Sequence, residues 1–557
     1  MTRQRIMGVL GGLLLAAGTL TAAPAASAAP AEVAAAAQAA PATRPRTDTP
    51  APPAEFGSDW HDPLTAAPPV RRPATRSCTL TLAEAQFRDF TPYRGGYTPP
   101  AGCGRTGDWA AVVLRLDGKV KGRQYDRLGN LTLGGVEILR TSTPQPSPEG
   151  ITWSVEKDVT RYRDTLTRPQ PVEMLIGNVV DDTYTGIIDV KVTLTFYAPD
   201  GRTPPAAPST TPDRVLPLAG TTLTTPRNTE RLLAEVYATG SGGGCEEYWY
   251  MTVPDTAPYS CKASGGPNRE VRIAVDGRLA GIAAPFPTVW TGGWSNPFLW
   301  YVTPAPRAFD VQPVTYDLTP FAGLLNDGRP HRVEVSVAGV PAGQGGWSTP
   351  VNVLLWQDEA RTVVPGALTR HEATDPANSS AYTPGPGPEH RLDTTAGHAL
   401  TVAGYLETSH GRITTTVTRS LTHHSVHRWT DGETRDALDG TWTDHETVTS
   451  GRDTTRTQRT YTMDGETTLG ADARLRTVLA LGDRADVLAL HGGRETSRTL
   501  LDHRYSGDAT YTTGVPRDQR HAVGTSTERY RSHGTGGCHD RTVSTAQGTV
   551  TEDRLRC

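Results

Sequence analysis
The sequence predicts an all-β chain in three parts, built as sandwiches or jelly rolls, and three observations lead there. Short apolar or alternating runs, rich in β-branched and aromatic residues, recur between Gly, Pro and Asp turn formers. Helical periodicity is scarce: Leu82–Arg88 and Thr499–Asp502 reach single turns at most. Two further Pro-rich tracts interrupt the strand pattern and divide it. At roughly 100–200 residues per domain, 557 residues accommodate about three to four units.

In chain order, residues 1–28 read as a cleavable signal peptide. Arg3 and Arg5 precede the apolar stretch Gly8–Leu20, and Ala26-Ser27-Ala28 supplies the small-residue cleavage pattern. The apolar stretch is too short for a membrane anchor. An exported, extracellular protein without a membrane span is therefore expected. Residues 29–55 form an Ala/Pro-rich tether. The first strand region, 56–200, contains Trp109–Leu116, Leu131-Thr132-Leu133 and Ile187–Phe196. A Pro/Thr linker is expected at 201–228. Strands resume at Leu232–Tyr237 and run to Val351–Trp356, giving a second unit at 229–360. After a linker at 361–391, residues 392–557 are Thr-rich with thin apolar content. Such a composition suits long antiparallel strands with one face in water.

Composition excludes several functions. With 55 Lys+Arg against 59 Asp+Glu, no basic excess exists to neutralise a phosphate backbone, so no nucleic-acid partner is expected. Six cysteines in an exported chain imply disulfides, and they fall as neighbours: Cys78 with Cys103, Cys245 with Cys261, Cys538 with Cys557. Six cysteines allow fifteen connectivities, and local pairing is the reading adopted. A zinc site is the weaker alternative, because no C-x-x-C occurs. Neither metal nor cofactor is expected. Nucleophile-elbow, Walker A, dinucleotide-binding and H-E-x-x-H patterns are all missing. His423-His424 are neighbours on a predicted strand, pointing to opposite faces, and are read as solvated.

What remains for chemistry is carboxylates beside aromatics. Tyr125-Asp126-Arg127 follows a strand end, where an Asp next to an Arg is compatible with a solvated turn or with function. Gly242–Tyr250 places Glu246 and Glu247 between a glycine run, Cys245 and three aromatics. Paired carboxylates raise one another's pKa and can yield an acid or base near neutral pH; an edge hairpin is the plain alternative.

These residues resemble the peptide-N-glycosidase A type of glycoamidase, also called peptide-N4-(N-acetyl-β-glucosaminyl)asparagine amidase A. The resemblance covers roughly residues 55–360. It is carried by Phe56–Pro63, Cys78-Thr79-Leu80, Gln124-Tyr125-Asp126-Arg127, Gly134–Pro144, Trp153–Thr160, Glu246–Tyr250 and Tyr316–Phe321. The more distant bacterial F-type enzyme has a similar pattern, with two eight-stranded jelly rolls side by side and the active cleft between them. The implied fold is thus two adjacent jelly-roll β-sandwich domains followed by a β-rich C-terminal domain.

By this resemblance Asp126 is the primary catalytic acid and Arg127 its substrate-binding neighbour, with Glu247 the second catalytic acid from the second jelly roll. Glu246, Trp249 and Trp294 are candidate substrate contacts, and Trp300 is a further candidate for stacking on sugar. A third family carboxylate aligns near Asn178, with Asp181 and Asp182 close by. The implied reaction is hydrolysis of the amide between Asn and the innermost GlcNAc of an N-linked glycopeptide or glycoprotein, in a chain expected to be monomeric. A sugar-binding protein without catalysis, an endo-β-N-acetylglucosaminidase cutting one bond further out, and a cell-surface structural protein stay open as alternatives.

Overall fold
Strict alternation in Leu114-Arg115-Leu116-Asp117 sends leucines inward and charges outward, and it marks the first of many half-buried strands. The computed structural model describes Phe56 and residues 60–241, 244–290 and 296–557. The expected signal peptide and tether lie outside the described residues.

The first unit is an eight-stranded sandwich. One sheet orders Ser77–Phe87, Ile187–Tyr197, Ala111–Lys121 and Ile151–Asp158; the facing sheet orders Tyr93–Tyr97, Gln170–Ile176, Leu128–Leu133 and Val136–Ser142. Numbered along the chain, this is 1-8-3-6 facing 2-7-4-5, the interleaved order of a jelly roll. The second unit repeats it. Arg214–Pro217, Val351–Gln357, Thr229–Val236 and Val314–Asp317 make one sheet. Thr222–Leu223, His331–Ala338, Glu270–Val275 and Arg278–Ala283 make the other, again 1-8-3-6 against 2-7-4-5.

The third unit is one eleven-stranded antiparallel sheet spanning Gly366 to Leu555, with strands as long as Glu389–Thr408 and Gly411–Thr430. Its near half buries Trp429, Trp442, Tyr461 and Tyr505. Trp442 meets Trp249 edge-on at 5.7 Å, and Tyr461 meets Phe286 at 5.2 Å. In the far half both faces carry Thr, Arg and Asp, cross-linked by pairs such as Arg498–Asp486 and Arg484–Asp502. Water therefore reaches both faces there, and thin apolar content suffices. A short α-helix of about two turns, Thr319–Leu325, docks on this sheet. It comes so close that a Cβ at Gly404 would fall 2.1 Å from the Pro320 carbonyl oxygen.

Several sequence expectations change. The linker expected at 201–228 contains the edge strands Arg214–Pro217 and Thr222–Leu223, and that expected at 361–391 contains Gly366–Ala373 and Ala377–Pro384. Proline is tolerated on sheet edges, so Pro-rich composition hid them. Leu82–Arg88 and Thr499–Asp502 are not helical turns; they lie within or at the end of strands whose ladders override local propensity.

The pairing Cys78–Cys103, Cys245–Cys261 and Cys538–Cys557 is the one observed, with Cα separations of 5.9, 5.3 and 5.6 Å. Short loops of this kind stabilise by roughly 3 kcal/mol each on the chain-entropy model. No helix among the described residues is long and apolar enough to cross a membrane.

The histidines of the third unit are also corrected. His424 is exposed, but His423 is buried, stacked on Trp442 at 4.9 Å with both ring nitrogens lacking hydrogen-bond partners. Burial, reinforced by the neighbouring His424, lowers its pKa to about 3. The unfolded chain takes up this proton near pH 6.5 and the folded chain only near 3, so stability is complete above 6.5 and falls as pH drops through that window. Between pH 6 and 4 the wild type should lose about 1.4 kcal/mol per pH unit more than His423→Phe, measured by denaturant unfolding at each pH. Parallel losses in both proteins would refute this.

Candidate active site
The loop Gly122–Arg127 leaves the strand Ala111–Lys121 at one end of the first sandwich and is fixed by its neighbours. Gln124 is its hub. Its side-chain nitrogen donates to the carbonyls of Val179 (2.8 Å) and Gly186 (3.1 Å). Its oxygen accepts the Tyr125 amide and the Arg127 guanidinium, whose Nε lies at 3.0 Å. The Arg127 amide donates to Thr143 Oγ1 at 2.9 Å, and the Thr143 amide returns a bond to the Arg127 carbonyl at 3.0 Å. Asp126 is thus held between two anchored residues and is itself half-buried.

Arg127 is almost wholly buried, its guanidinium 5.7 Å from the Tyr184 ring centroid. Burial pulls its pKa below the ordinary value, opposed by the charges of Asp126, Tyr184, Tyr125 and Asp181. Asp181, exposed, accepts the amides of Thr183 and Tyr184 and so shapes the adjoining loop. Asp182 is exposed beside it. Asn178 has no access to solvent; its amide nitrogen donates to the carbonyls of Phe87 and Gly186, a loop-fixing role.

The second locus is the 3-10 segment Cys245–Met251 of the second sandwich, with Cys245 tied to Cys261. Gly240 allows close approach: a Cβ there would fall 2.2 Å from the Glu246 carbonyl oxygen. Glu246 points inward. Its carboxylate accepts Arg269 Nη2 at 2.6 Å and Nε at 2.9 Å, and Trp347 Nε1 at 2.7 Å, all beneath the surface. Its placement corrects the substrate-contact expectation: both oxygens hold the segment in shape. Trp249 and Trp300 are corrected likewise, being core side chains at 2% and 3% exposure that present no face to a sugar. Trp294 lies outside the described residues.

Glu247, the next residue, is half-buried, and its carboxylate accepts the Tyr248 hydroxyl. Burial pushes the Tyr248 pKa well up, and the negative charges of Glu247, Tyr250 and Asp126 add to the shift. Asp126 and Glu247, one from each sandwich, are therefore both near enough for their charges to act on the same phenol.

The seam between the sandwiches fixes this encounter. Glu137 and Arg140, both buried, pair at 2.6 Å. Arg140 crosses to the Tyr237 carbonyl (3.1 Å), Thr239 Oγ1 (2.7 Å) and Ser348 Oγ (3.1 Å). Asn352 exchanges two hydrogen bonds with the Glu137 backbone, at 3.0 and 2.7 Å. Lys157 reaches the Tyr237 hydroxyl at 3.1 Å, and Tyr162 donates to Glu235 at 2.7 Å.

Sequence reasoning missed Gln124 as organiser, Tyr248 as the partner of Glu247, and the Arg269–Glu246–Trp347 support. Arg269 and Trp347 carry no local signal, since they meet Glu246 only through the fold. Two open hollows, of about 620 Å³ beside Arg161 and Arg231 and about 830 Å³ over Asp117 and Asp189, are lined by neither Asp126 nor Glu247. Among the described residues no group of three His, Cys, Asp or Glu is arranged to hold a metal ion.

Comparison with known proteins bears on this arrangement. A peptide-N4-(N-acetyl-β-glucosaminyl)asparagine amidase A of Prunus dulcis is 30% identical over 383 residues, 62% of this chain and 66% of that enzyme, just under two thirds of its length. Among solved structures, PNGase F, a glycosylasparaginase from Flavobacterium meningosepticum, aligns with 51% of this chain and 96% of its own, at 13% identity and a TM-score of 0.33. PNGF-II aligns with 51% of this chain and 65% of its own, at 16% identity and a TM-score of 0.35. The fold assignment rests on the strand orders, not on these two likenesses. The family model described as peptide N-acetyl-β-D-glucosaminyl asparaginase amidase A matches residues 67–373, more than half of the chain, and contains both Asp126 and Glu247. The chain therefore belongs to the peptide N-acetyl-β-D-glucosaminyl asparaginase amidase A family.

Proposed function
We propose that the protein is an exported glycoamidase that hydrolyses the amide between Asn and the innermost GlcNAc of N-linked glycopeptides or glycoproteins. One observation supports this above others: Asp126 and Glu247, from two sandwiches locked by a buried polar seam, both bear electrostatically on the Tyr248 phenol, which Glu247 holds by a hydrogen bond. Amide hydrolysis needs a water aimed at the carboxamide carbon, charge stabilisation on its oxygen, and a proton for the leaving nitrogen.

Asp126 orients and deprotonates the water as general base. Arg127, its fork held on Gln124, gives the site a fixed positive charge beside Asp126. Glu247 and the Tyr248 hydroxyl it holds position the GlcNAc–Asn linkage or pass a proton to it. The products are a peptide Asp and a 1-amino-GlcNAc glycan, which then loses ammonia. The three disulfides fit an oxidising, extracellular setting.

The test is mass spectrometry of a defined Asn-glycopeptide after incubation in water enriched in oxygen-18. The expected product is a sugar-free peptide with Asn converted to labelled Asp. A peptide retaining one GlcNAc would turn the assignment to an endoglycosidase, and an unchanged but bound glycopeptide to a sugar-binding protein.

A further inference from the structure
The motif Gln124-Tyr125-Asp126-Arg127 opens with a residue whose side-chain amide is fully engaged. Its oxygen accepts three donors: the Tyr125 amide at 3.1 Å, Arg127 Nε at 3.0 Å and Arg127 Nη2. Its nitrogen donates to the Val179 and Gly186 carbonyls at 2.8 and 3.1 Å. Both carbonyls flank the turn that carries Asp181 and Tyr184. A bond from the Gly186 amide to the Arg123 carbonyl, at 3.0 Å, closes the same junction. A primary amide both accepts and donates at this reach, which neither a carboxylate nor an ammonium does.

The neutral partner has an electrostatic side. Buried charges are ordinarily paired, and a carboxylate that grips a guanidinium by two parallel bonds also cancels its charge. Three arginines are buried among the described residues: Arg127, Arg140 and Arg269. Arg140 pairs with Glu137 and Arg269 with Glu246, at 2.6 Å in both cases, and both carboxylates are buried too. Arg127 departs from this pattern. Its fork rests on an amide oxygen, and among the described residues it has no ion pair. Its neighbour in the chain is Asp126, half-buried.

We propose that Gln124 is a positioning residue of the amidase, fixing the Arg127 fork through a neutral amide so that the guanidinium charge stays uncancelled beside Asp126. This rests on the amidase reading above. A cation next to Asp126 favours its ionised form, the form a general base needs. A carboxylate at position 124 would still grip the fork, but it would cancel that influence. It would also leave the Val179 and Gly186 carbonyls with one donor fewer.

The test is the kcat–pH profile of the full chain on an Asn-glycopeptide, for wild type, Gln124→Glu, Gln124→Met and Arg127→Gln. Gln124→Glu adds a negative charge, which holds a proton on Asp126 more tightly. Its acid limb should move up by about one pH unit, so that kcat is about tenfold lower on the acid side and recovers as pH rises. Arg127→Gln removes the cation, and its acid limb should move the same way; this variant decides the matter if Gln124→Glu melts too low to assay. Gln124→Met loosens the fork without changing any charge. It should lose turnover alike at every pH and keep the acid limb of the wild type. An unmoved acid limb in either charge variant would overturn the proposal and leave the amidase reading intact. Equal, pH-independent losses in all three variants would also overturn it, because Gln124 would then only hold the loop. A wild-type chain that releases no oxygen-18-labelled peptide would remove the amidase reading, and this inference with it.

Discussion

Asp126→Asn should lower turnover by about a hundred- to ten-thousand-fold while leaving the melting temperature unchanged. The side chain keeps its size, and the loop is held by Gln124, Thr143 and Arg127 rather than by the Asp126 carboxylate alone. What goes is a base able to take the proton of the attacking water. Steady-state kinetics on a glycopeptide, with a thermal melt on the same preparation, measures both quantities. Near-normal turnover would move the base elsewhere, with Glu247 next in place. Glutamine at 247 should cost less, since Tyr248 keeps an acceptor and the water keeps its base.

The second large effect concerns a residue remote from any water. Arg269→Met leaves Glu246 as a buried carboxylate without its cation, and such a group destabilises by about 3–5 kcal/mol. Loss of activity should accompany the loss of stability, because Glu246 fixes the segment that presents Glu247. Adding Glu246→Gln to Arg269→Met removes the stranded charge and retains an acceptor for Trp347 Nε1. The double variant should recover most of the melting temperature. A single variant as stable as the wild type would show that the pair contributes nothing to holding this segment.

Much of the architecture was legible, and the reasons differ from place to place. Alternation in Ile187–Phe196 and Leu114–Val120 identifies half-buried strands because side-chain direction flips at each residue. The Pro-rich edge strands were missed because an edge needs hydrogen bonds on one side only, so composition there looks like linker. At the site, Asp126 and Glu247 stood out beside Arg127, Cys245 and glycine. The motif Glu137-Ile138-Leu139-Arg140 stood out as well, but its work could not be read. Its charges are buried and close the seam between the sandwiches. Glu246 misled for a related reason: its partners Arg269 and Trp347 are 23 and 101 residues away in sequence. His423 misled because a strand with one wet face was expected where the second sandwich covers the other.

The set made of Phe56 and residues 60–66 has a mechanical meaning. Its Phe56 and His61 amides bond to the Ala522 and Gly548 carbonyls of the third sheet. Asp62 accepts the amide and hydroxyl of Thr152 in the first sandwich, and the Leu64 amide donates to the Val302 carbonyl in the second unit. It acts as a strap sewn across all three. The sandwiches cannot swing apart like jaws without tearing these stitches and the seam beneath them. The relative placement of Asp126 and Glu247 is thereby held fixed. On the amidase reading proposed above, the guest brings the flexibility, and the exposure and looseness of the Asn-bearing strand would decide which sites are cut.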